Sequence, residues 1–181
     1  MKNYNYKMNK KINKYVLLCF SLMLTFWLIS LFELSASLLS GKEIANIPKY
    51  IGFKFLNHFF TILFIFSLFF PLYYVLARKK NKLPIVIIKI VFVLLVIIEF
   101  ALTKYSVTTL LNLGADLLGY SLDDIYITVT SSESTSIIYF LPFLIFPALF
   151  LVSCFFLKMS IFFKYSGRIF MGVTIVVIVI K

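Results

Sequence analysis

Ionisable side chains are scarce in this 181-residue sequence, which contains seven acids and a single histidine, His58. Three of these groups, Glu33, His58 and Glu99, lie within or beside long apolar stretches. Such groups are candidates for function because a charge in apolar surroundings is costly. If each stretch is a helix that rises about 1.5 Å per residue, the three side chains lie at about the same distance along the helix axes. We therefore predict a weak polar cluster of Glu33, His58 and Glu99, with solvation at helix ends as the alternative interpretation.

A second group of polar side chains lies between residues 103 and 135, where four of the seven acids and two of the six glycines are found. Ser121 and Asp124 have the spacing of a helix N-cap and an acid at the third helical position. Acids at that place also favour the positive end of the helix dipole. Either lipid-headgroup contact or a structural role at helix ends is predicted for Gly114, Asp116, Gly119, Tyr120, Asp123 and Asp124.

The sequence offers no recognisable catalytic centre. Metal-dependent phosphoryl transfer needs several carboxylates or histidines at one point and an activated nucleophile, and we find no pairing of that kind around His58. Cys19 and Cys154 both lie in apolar stretches, which is typical of packing rather than of metal binding. We therefore predict no catalytic, cofactor-binding or metal-binding residue in this chain, and we do not expect it to act as an enzyme by itself.

The composition indicates an integral membrane protein. Hydrophobic residues make up 62% of the chain and charged residues 14%, with a mean hydropathy of +1.02. Soluble domains are about half apolar and about a quarter charged, and disordered chains are poorer still in apolar residues. The excess of 18 Lys+Arg over 7 Asp+Glu lies mostly in short gaps between apolar runs, which is typical of cytoplasmic loops. We predict the phospholipid membrane as the main partner, other membrane proteins as further candidates, and no nucleic-acid partner.

The apolar runs predict an all-α fold, a polytopic membrane helix bundle. A helix needs about 20 mostly apolar residues to cross about 30 Å of hydrocarbon, and the runs that meet this requirement are 15–39, 55–77, 83–102 and 136–157. A fifth run, 169–180, is too short to cross and is expected to be a truncated helix. The remaining segments are a basic N-terminus, 1–14, and an outer loop, 103–135, in which we expect interfacial helices.

The basic residues predict the orientation of the bundle. Segments 1–14, 78–82 and 158–168 carry lysine and arginine and no acid, whereas both intervening segments contain acids. If every predicted span is real, the three acid-free basic segments lie on the same side of the membrane. Because cytoplasmic loops are enriched in lysine and arginine, we predict a cytoplasmic N-terminus.

One segment carries a resemblance to a known family. Residues 113–125 read LGADLLGYSLDDI. This string resembles the loop between the third and fourth membrane helices in a bacterial branch of the lipoteichoic acid synthase-like proteins, which are sulfatase-type phosphoglycerol transferases of the alkaline phosphatase superfamily. The layout of most of residues 15–180 is also similar, although only the loop string is specific.

The resemblance implies a fold and a function. In that family five membrane helices precede a large extracytoplasmic α/β domain, which binds a divalent metal such as manganese and uses a threonine nucleophile to move phosphoglycerol from a phospholipid. No position of this sequence matches those catalytic motifs. The resemblance therefore implies a membrane-anchor domain of the bacterial cytoplasmic membrane that lacks the catalytic domain. The alternative is a stand-alone multi-pass membrane protein that binds a partner in an envelope complex.

Overall fold

Four α-helices form the regular structure of the part of the chain that the computed structural model describes, which is residues 2–39, 41, 46–78, 83–109 and 140–159. In chain order they are α1 (Lys2–Leu39), α2 (Ile47–Arg78), α3 (Leu83–Thr109) and α4 (Leu141–Met159). The all-α prediction is confirmed for these residues. The predicted truncated helix at 169–180, and the part of the 103–135 loop that follows residue 109, lie outside the described residues.

Three of the helices are long and apolar enough to cross a membrane: Lys11–Leu39, Ile47–Ala77 and Leu83–Val107, with mean hydropathies of 2.2, 2.2 and 3.1. They contain the predicted spans 15–39, 55–77 and 83–102, and they make the chain a membrane protein. The fourth helix differs, because the apolar part described there, Leu141–Leu157, is shorter than the other three. Four full spans were predicted, and the described residues contain three helices that are long and apolar enough to span.

The helix ends extend beyond the apolar runs. α1 includes nearly all of the basic segment 1–14, since lysine is a good helix former outside hydrocarbon. α2 begins at Ile47 because the Asn46 side chain caps it, with its Oδ1 accepting a hydrogen bond from the Lys49 N–H at 3.0 Å. α1 ends before Gly41, whose φ of 79° and N–H bond to the Leu38 carbonyl at 3.1 Å form a left-handed helix stop.

The contacts between helices define an antiparallel arrangement. Along α1 and α2, the Lys11 ammonium donates to the Ala77 carbonyl at one end, and Glu33 binds Lys54 at the other. α3 runs antiparallel to α4, because Phe100 packs on Phe143 with ring centroids 4.8 Å apart while Phe92 packs on Phe150 at 6.4 Å. We call the two ends of the α1–α2 pair the Lys11 end and the Glu33 end.

α1 is the central helix of the bundle, since it packs against α2, α3 and α4. Of its most apolar 18-residue stretch, 61% is buried, compared with 28% for α2 and 22% for α3. The core is rich in large aromatic side chains from all four helices, among them Tyr15, Phe26, Phe66, Phe92, Phe100 and Phe150. α2, α3 and α4 direct many large apolar side chains outward, as helices in contact with lipid do.

Buried polar side chains are concentrated on α1: Ser21, Thr25, Ser30, Glu33 and Ser37. Two of them find their hydrogen-bond partners within α1. The Thr25 hydroxyl donates to the Ser21 carbonyl at 2.9 Å, and the Ser30 hydroxyl donates to the Phe26 carbonyl at 3.1 Å. Such back-bonding is inexpensive in apolar surroundings, since no second helix has to supply a partner. Glu33 is different, because a carboxylate needs donors from elsewhere.

Candidate functional site

Glu33 lies at the centre of a hydrogen-bonded group near one end of the bundle. Its residue is only 7% exposed. The Lys54 ammonium of α2 donates to both carboxylate oxygens at 2.9 Å, and the Tyr50 hydroxyl donates to Oε1, also at 2.9 Å. Hydrogen bonds to a charged group are stronger than those between neutral groups. Glu33 therefore has a full set of partners, and its charge is matched by that of Lys54.

His58 and Glu99 form a second polar contact, between α2 and α3. The His58 imidazole is nearly buried, with 5% of the residue exposed, and its Nε2 lies 3.8 Å from the Glu99 Oε1. This distance suits an ion pair but exceeds a hydrogen bond. The Phe26 ring meets the imidazole edge-on, with centroids 5.4 Å apart. The Glu99 side chain is 25% exposed, so the carboxylate lies at the margin of the helix packing.

The register of α2 links the two contacts. Tyr50, Lys54 and His58 are spaced four residues apart, so their side chains lie on one face of the helix, one turn above another. The charges of Lys54 and Glu33 act on both His58 and Glu99. We call these five residues, Tyr50, Glu33, Lys54, His58 and Glu99, the polar cluster.

Aromatic residues surround the polar cluster at the Glu33 end. Trp27 of α1 stacks on Phe55 of α2, with centroids 4.9 Å apart, and its indole N–H donates to the Phe55 carbonyl at 3.4 Å. On α3, the Lys104 ammonium lies over the rings of Phe140 and Phe143 at 5.4 and 5.7 Å. These contacts fix α1 against α2 and α3 against α4 next to the charged groups.

The structure places the residues of the predicted cluster in two separate contacts. His58 and Glu99 meet each other directly, whereas Glu33 binds Lys54 and Tyr50. Lys54 and Tyr50 were not predicted as members of the cluster, because the apolar run begins only after them. The four-residue spacing of Tyr50, Lys54 and His58 is the signal that identifies both, once helix α2 is extended back to Ile47.

The remaining predicted residues fall into two groups, one in the core and one outside the described residues. Gly114, Asp116, Gly119, Tyr120, Asp123 and Asp124 lie outside the described residues. Cys19 and Cys154 are both buried thiols in the core, where the sequence places them as packing residues. Within the described ranges, no three histidine, cysteine or acidic side chains come together as a metal-binding group.

The arrangement of the polar cluster supports two kinds of chemistry. A partly exposed carboxylate beside a nearly buried imidazole can hold or release a proton. A lysine that is 33% exposed next to a buried acid can extend its ammonium toward polar headgroups at the edge of an apolar region. Comparison of the chain with protein-family models, with curated proteins and with solved structures finds no match. The interpretation of the polar cluster therefore depends on its own geometry.

Proposed function

We propose that the chain is the membrane-anchor domain of a sulfatase-like phosphoglycerol transferase, which transfers glycerophosphate from phospholipid in the bacterial cell envelope. The observation that carries the anchor role is the packing of two long apolar helices, α2 and α3, against the equally long and apolar α1, with apolar side chains facing outward. The transferase assignment is supported by the resemblance of residues 113–125 to the family loop.

We place the N-terminus in the cytoplasm and the polar cluster at the outer side of the bacterial cytoplasmic membrane. Lys11, Lys14 and Arg78 lie at the Lys11 end, which supports this orientation through the enrichment of basic residues in cytoplasmic segments. From Lys14 to Glu33 the helical rise is about 28 Å, close to the thickness of the hydrocarbon region. Both ends of this interval are therefore at depths where charged groups reach headgroups or water.

In this proposal the bundle anchors a catalytic domain and presents lipid headgroups beside the 103–135 loop. The chemistry of transfer, and a divalent metal such as manganese, belong to the catalytic domain that the family carries after its membrane helices. Lys54 and Glu99 are partly exposed at the Glu33 end, and in this proposal they face such headgroups.

The coding DNA downstream of Lys181 tests the transferase assignment. An open frame that continues the predicted fifth helix into a metal-binding, sulfatase-like domain supports the proposal, and mutation of that domain should abolish glycerophosphate transfer. A stop codon followed by unrelated sequence in all three frames contradicts the transferase assignment. The chain is then to be studied as a stand-alone membrane protein.

Orientation is tested separately by cysteine labelling in intact cells. Lys49 and Lys14 are both exposed and lie at opposite ends of the bundle, so Lys49→Cys and Lys14→Cys form a matched pair. Because Cys19 and Cys154 are buried, they give little background. A membrane-impermeant maleimide should label Lys49→Cys in intact cells and Lys14→Cys only after lysis. The reverse pattern contradicts the proposed orientation.

The alternative function is a stand-alone membrane protein that binds a partner in an envelope complex. One observation favours it, namely the partly exposed Glu99 carboxylate between α2 and α3. A polar group at this depth is stabilised when a neighbouring helix supplies a donor. A photo-crosslinking residue at Ile98, which is 54% exposed, should capture a specific partner if this function holds, and lipid alone if the bundle is only an anchor.

A further inference from the structure

The charges of the polar cluster do not balance without an added proton. Lys54 neutralises Glu33, with which it shares two hydrogen bonds of 2.9 Å. That leaves Glu99, whose nearest described partner is a histidine at 3.8 Å. With a neutral imidazole, the cluster holds one uncompensated negative charge on Glu99, whose side chain is only 25% exposed, and a partly desolvated charge of this kind is costly.

We propose that His58 and Glu99 bind one shared proton, which neutralises the polar cluster and holds α2 against α3. With the proton on the imidazole, the two side chains form an ion pair; with the proton on the carboxyl group, both are neutral. In both forms the cluster as a whole has no net charge. The inference rests on the geometry of these residues and is independent of the transferase assignment.

The position of the His58–Glu99 pair makes the junction between α2 and α3 sensitive to the protonation of the pair. α2 and α3 share a much smaller contact with each other than α1 makes with either of them. His58 is nearly buried and Glu99 is on the adjacent helix, so the two side chains bridge the weakest of these junctions. Loss of the proton leaves a charge at the junction and loosens it, while the contacts of α1 keep the rest of the bundle together.

Other charged and titratable groups near the pair come from every element packed against it. α1 contributes Glu33, and α2 contributes Lys54 and Tyr50, which are bonded to Glu33. On α3, Lys104 lies one turn beyond Glu99 but is directed over Phe140 and Phe143. In the described apolar part of α4, the titratable side chain is Cys154, near the opposite end of the bundle. With a neutral imidazole, the net charge of the polar cluster is therefore set by Glu33, Lys54 and Glu99.

The chain contains its own reporters for this proposal. His58 is its only histidine and Trp27 its only tryptophan, so histidine labelled with 15N gives one imidazole and the fluorescence has one source. Trp27 contacts α2 at Phe55, one turn from His58. In lipid nanodiscs, the 15N shifts of His58 are followed from about pH 9 to about pH 3, which spans the ordinary titration of histidine and glutamate.

We expect a single His58 transition that coincides with a change in bundle stability. The folded bundle retains a proton that the unfolded chain has released, so stability falls as pH rises through the transition. For one proton, the folding equilibrium constant changes by up to tenfold per pH unit. Glu99→Gln removes the uncompensated charge and should abolish both the transition and the pH dependence of stability. Glu99→Asp keeps the charge and should retain both.

Three results would overturn the proposal. The first is a Glu99→Gln variant with the same His58 transition as the wild type, which makes His58 an independent titrating group. The second is a wild-type imidazole that stays neutral throughout while stability is independent of pH. The third is loss of the transition in Glu99→Asp despite unchanged Trp27 emission, which assigns the effect to local packing. Unchanged Trp27 emission also verifies that each variant is folded around α1 and α2.

Discussion

The two ends of the α1–α2 pair are joined by different kinds of contact. At the Lys11 end, neutral tyrosine hydroxyls donate to backbone carbonyls: Tyr15 to Phe66 at 3.0 Å, and Tyr73 to Lys11 at 2.8 Å. At the Glu33 end, the contacts of the polar cluster are between side chains, and most of the groups are ionisable. The Lys11 end is therefore joined by bonds to backbone carbonyls, from the Lys11 ammonium as well as from the tyrosines, whereas the polar cluster pairs ionisable side chains with each other.

This difference shows where function is to be sought. Neutral hydrogen bonds contribute about 1 kcal/mol each and are indifferent to pH. Buried charges lose their hydration, and an ion pair is often no more stabilising than apolar side chains of similar size. Since bonds to backbone carbonyls join these helices at the Lys11 end, a pair of opposite charges is not the only means of joining them at the Glu33 end. We therefore expect the functional chemistry of the described residues to lie in the polar cluster.

The largest effect is expected from removing the cation of the polar cluster. Lys54→Met leaves the Glu33 carboxylate, only 9% exposed as a side chain, without its counter-charge. Breaking one side of a buried ion pair costs about 3–5 kcal/mol, and the exposure of Lys54 favours the lower figure. The free energy of unfolding is measured by SDS titration in mixed micelles. Lys49→Met, one turn earlier and exposed, is the control and should resemble the wild type.

A smaller effect distinguishes the two ends directly. Tyr50→Phe removes a hydroxyl that donates to a carboxylate, and Tyr15→Phe removes one that donates to a carbonyl. We expect losses of about 1.5–2 kcal/mol and about 1 kcal/mol, because hydrogen bonds to charged groups are stronger. The same SDS titration measures both variants. Equal losses, or a larger loss for Tyr15→Phe, would contradict the contrast between the ends.

The smallest effect is expected outside the described helices. Asp116→Ala and Asp124→Ala should change lipid binding only modestly if these acids shape helix ends, since a cap contributes about 1 kcal/mol. Binding of the purified chain to liposomes, compared with wild type, is the measurement. Complete loss of binding in one of the variants would instead assign that acid to headgroup recognition, and it would move part of the function away from the polar cluster.

Much of the fold is predictable from hydropathy because the hydrocarbon thickness sets the length of a span. The runs 15–39, 55–77 and 83–102 all lie within observed helices. The boundaries are less predictable, because they depend on local capping. Asn46 starts α2 well before the apolar run, and Gly41 ends α1. A hydropathy profile shows neither boundary, because the first depends on a side-chain hydrogen bond and the second on a left-handed backbone conformation.

The site is less predictable than the fold because partners are set by packing angles. Depth alone places Glu33, His58 and Glu99 near one level, but it does not give their neighbours. The face of α2 that carries Lys54 and His58 lies against both α1 and α3, so Lys54 meets Glu33 and His58 meets Glu99. A lysine that hydropathy assigns to a loop thus becomes the counter-ion of a buried acid.

The central position of α1 also has a consequence for biosynthesis. α1 leaves the ribosome before α2, so Glu33 enters the translocon before Lys54 does. A lone carboxylate partitions poorly into lipid, and its counter-ion arrives on the next helix. We expect α1 and α2 to be released into the bilayer together as a helical hairpin, with the bond between Glu33 and Lys54 formed during insertion.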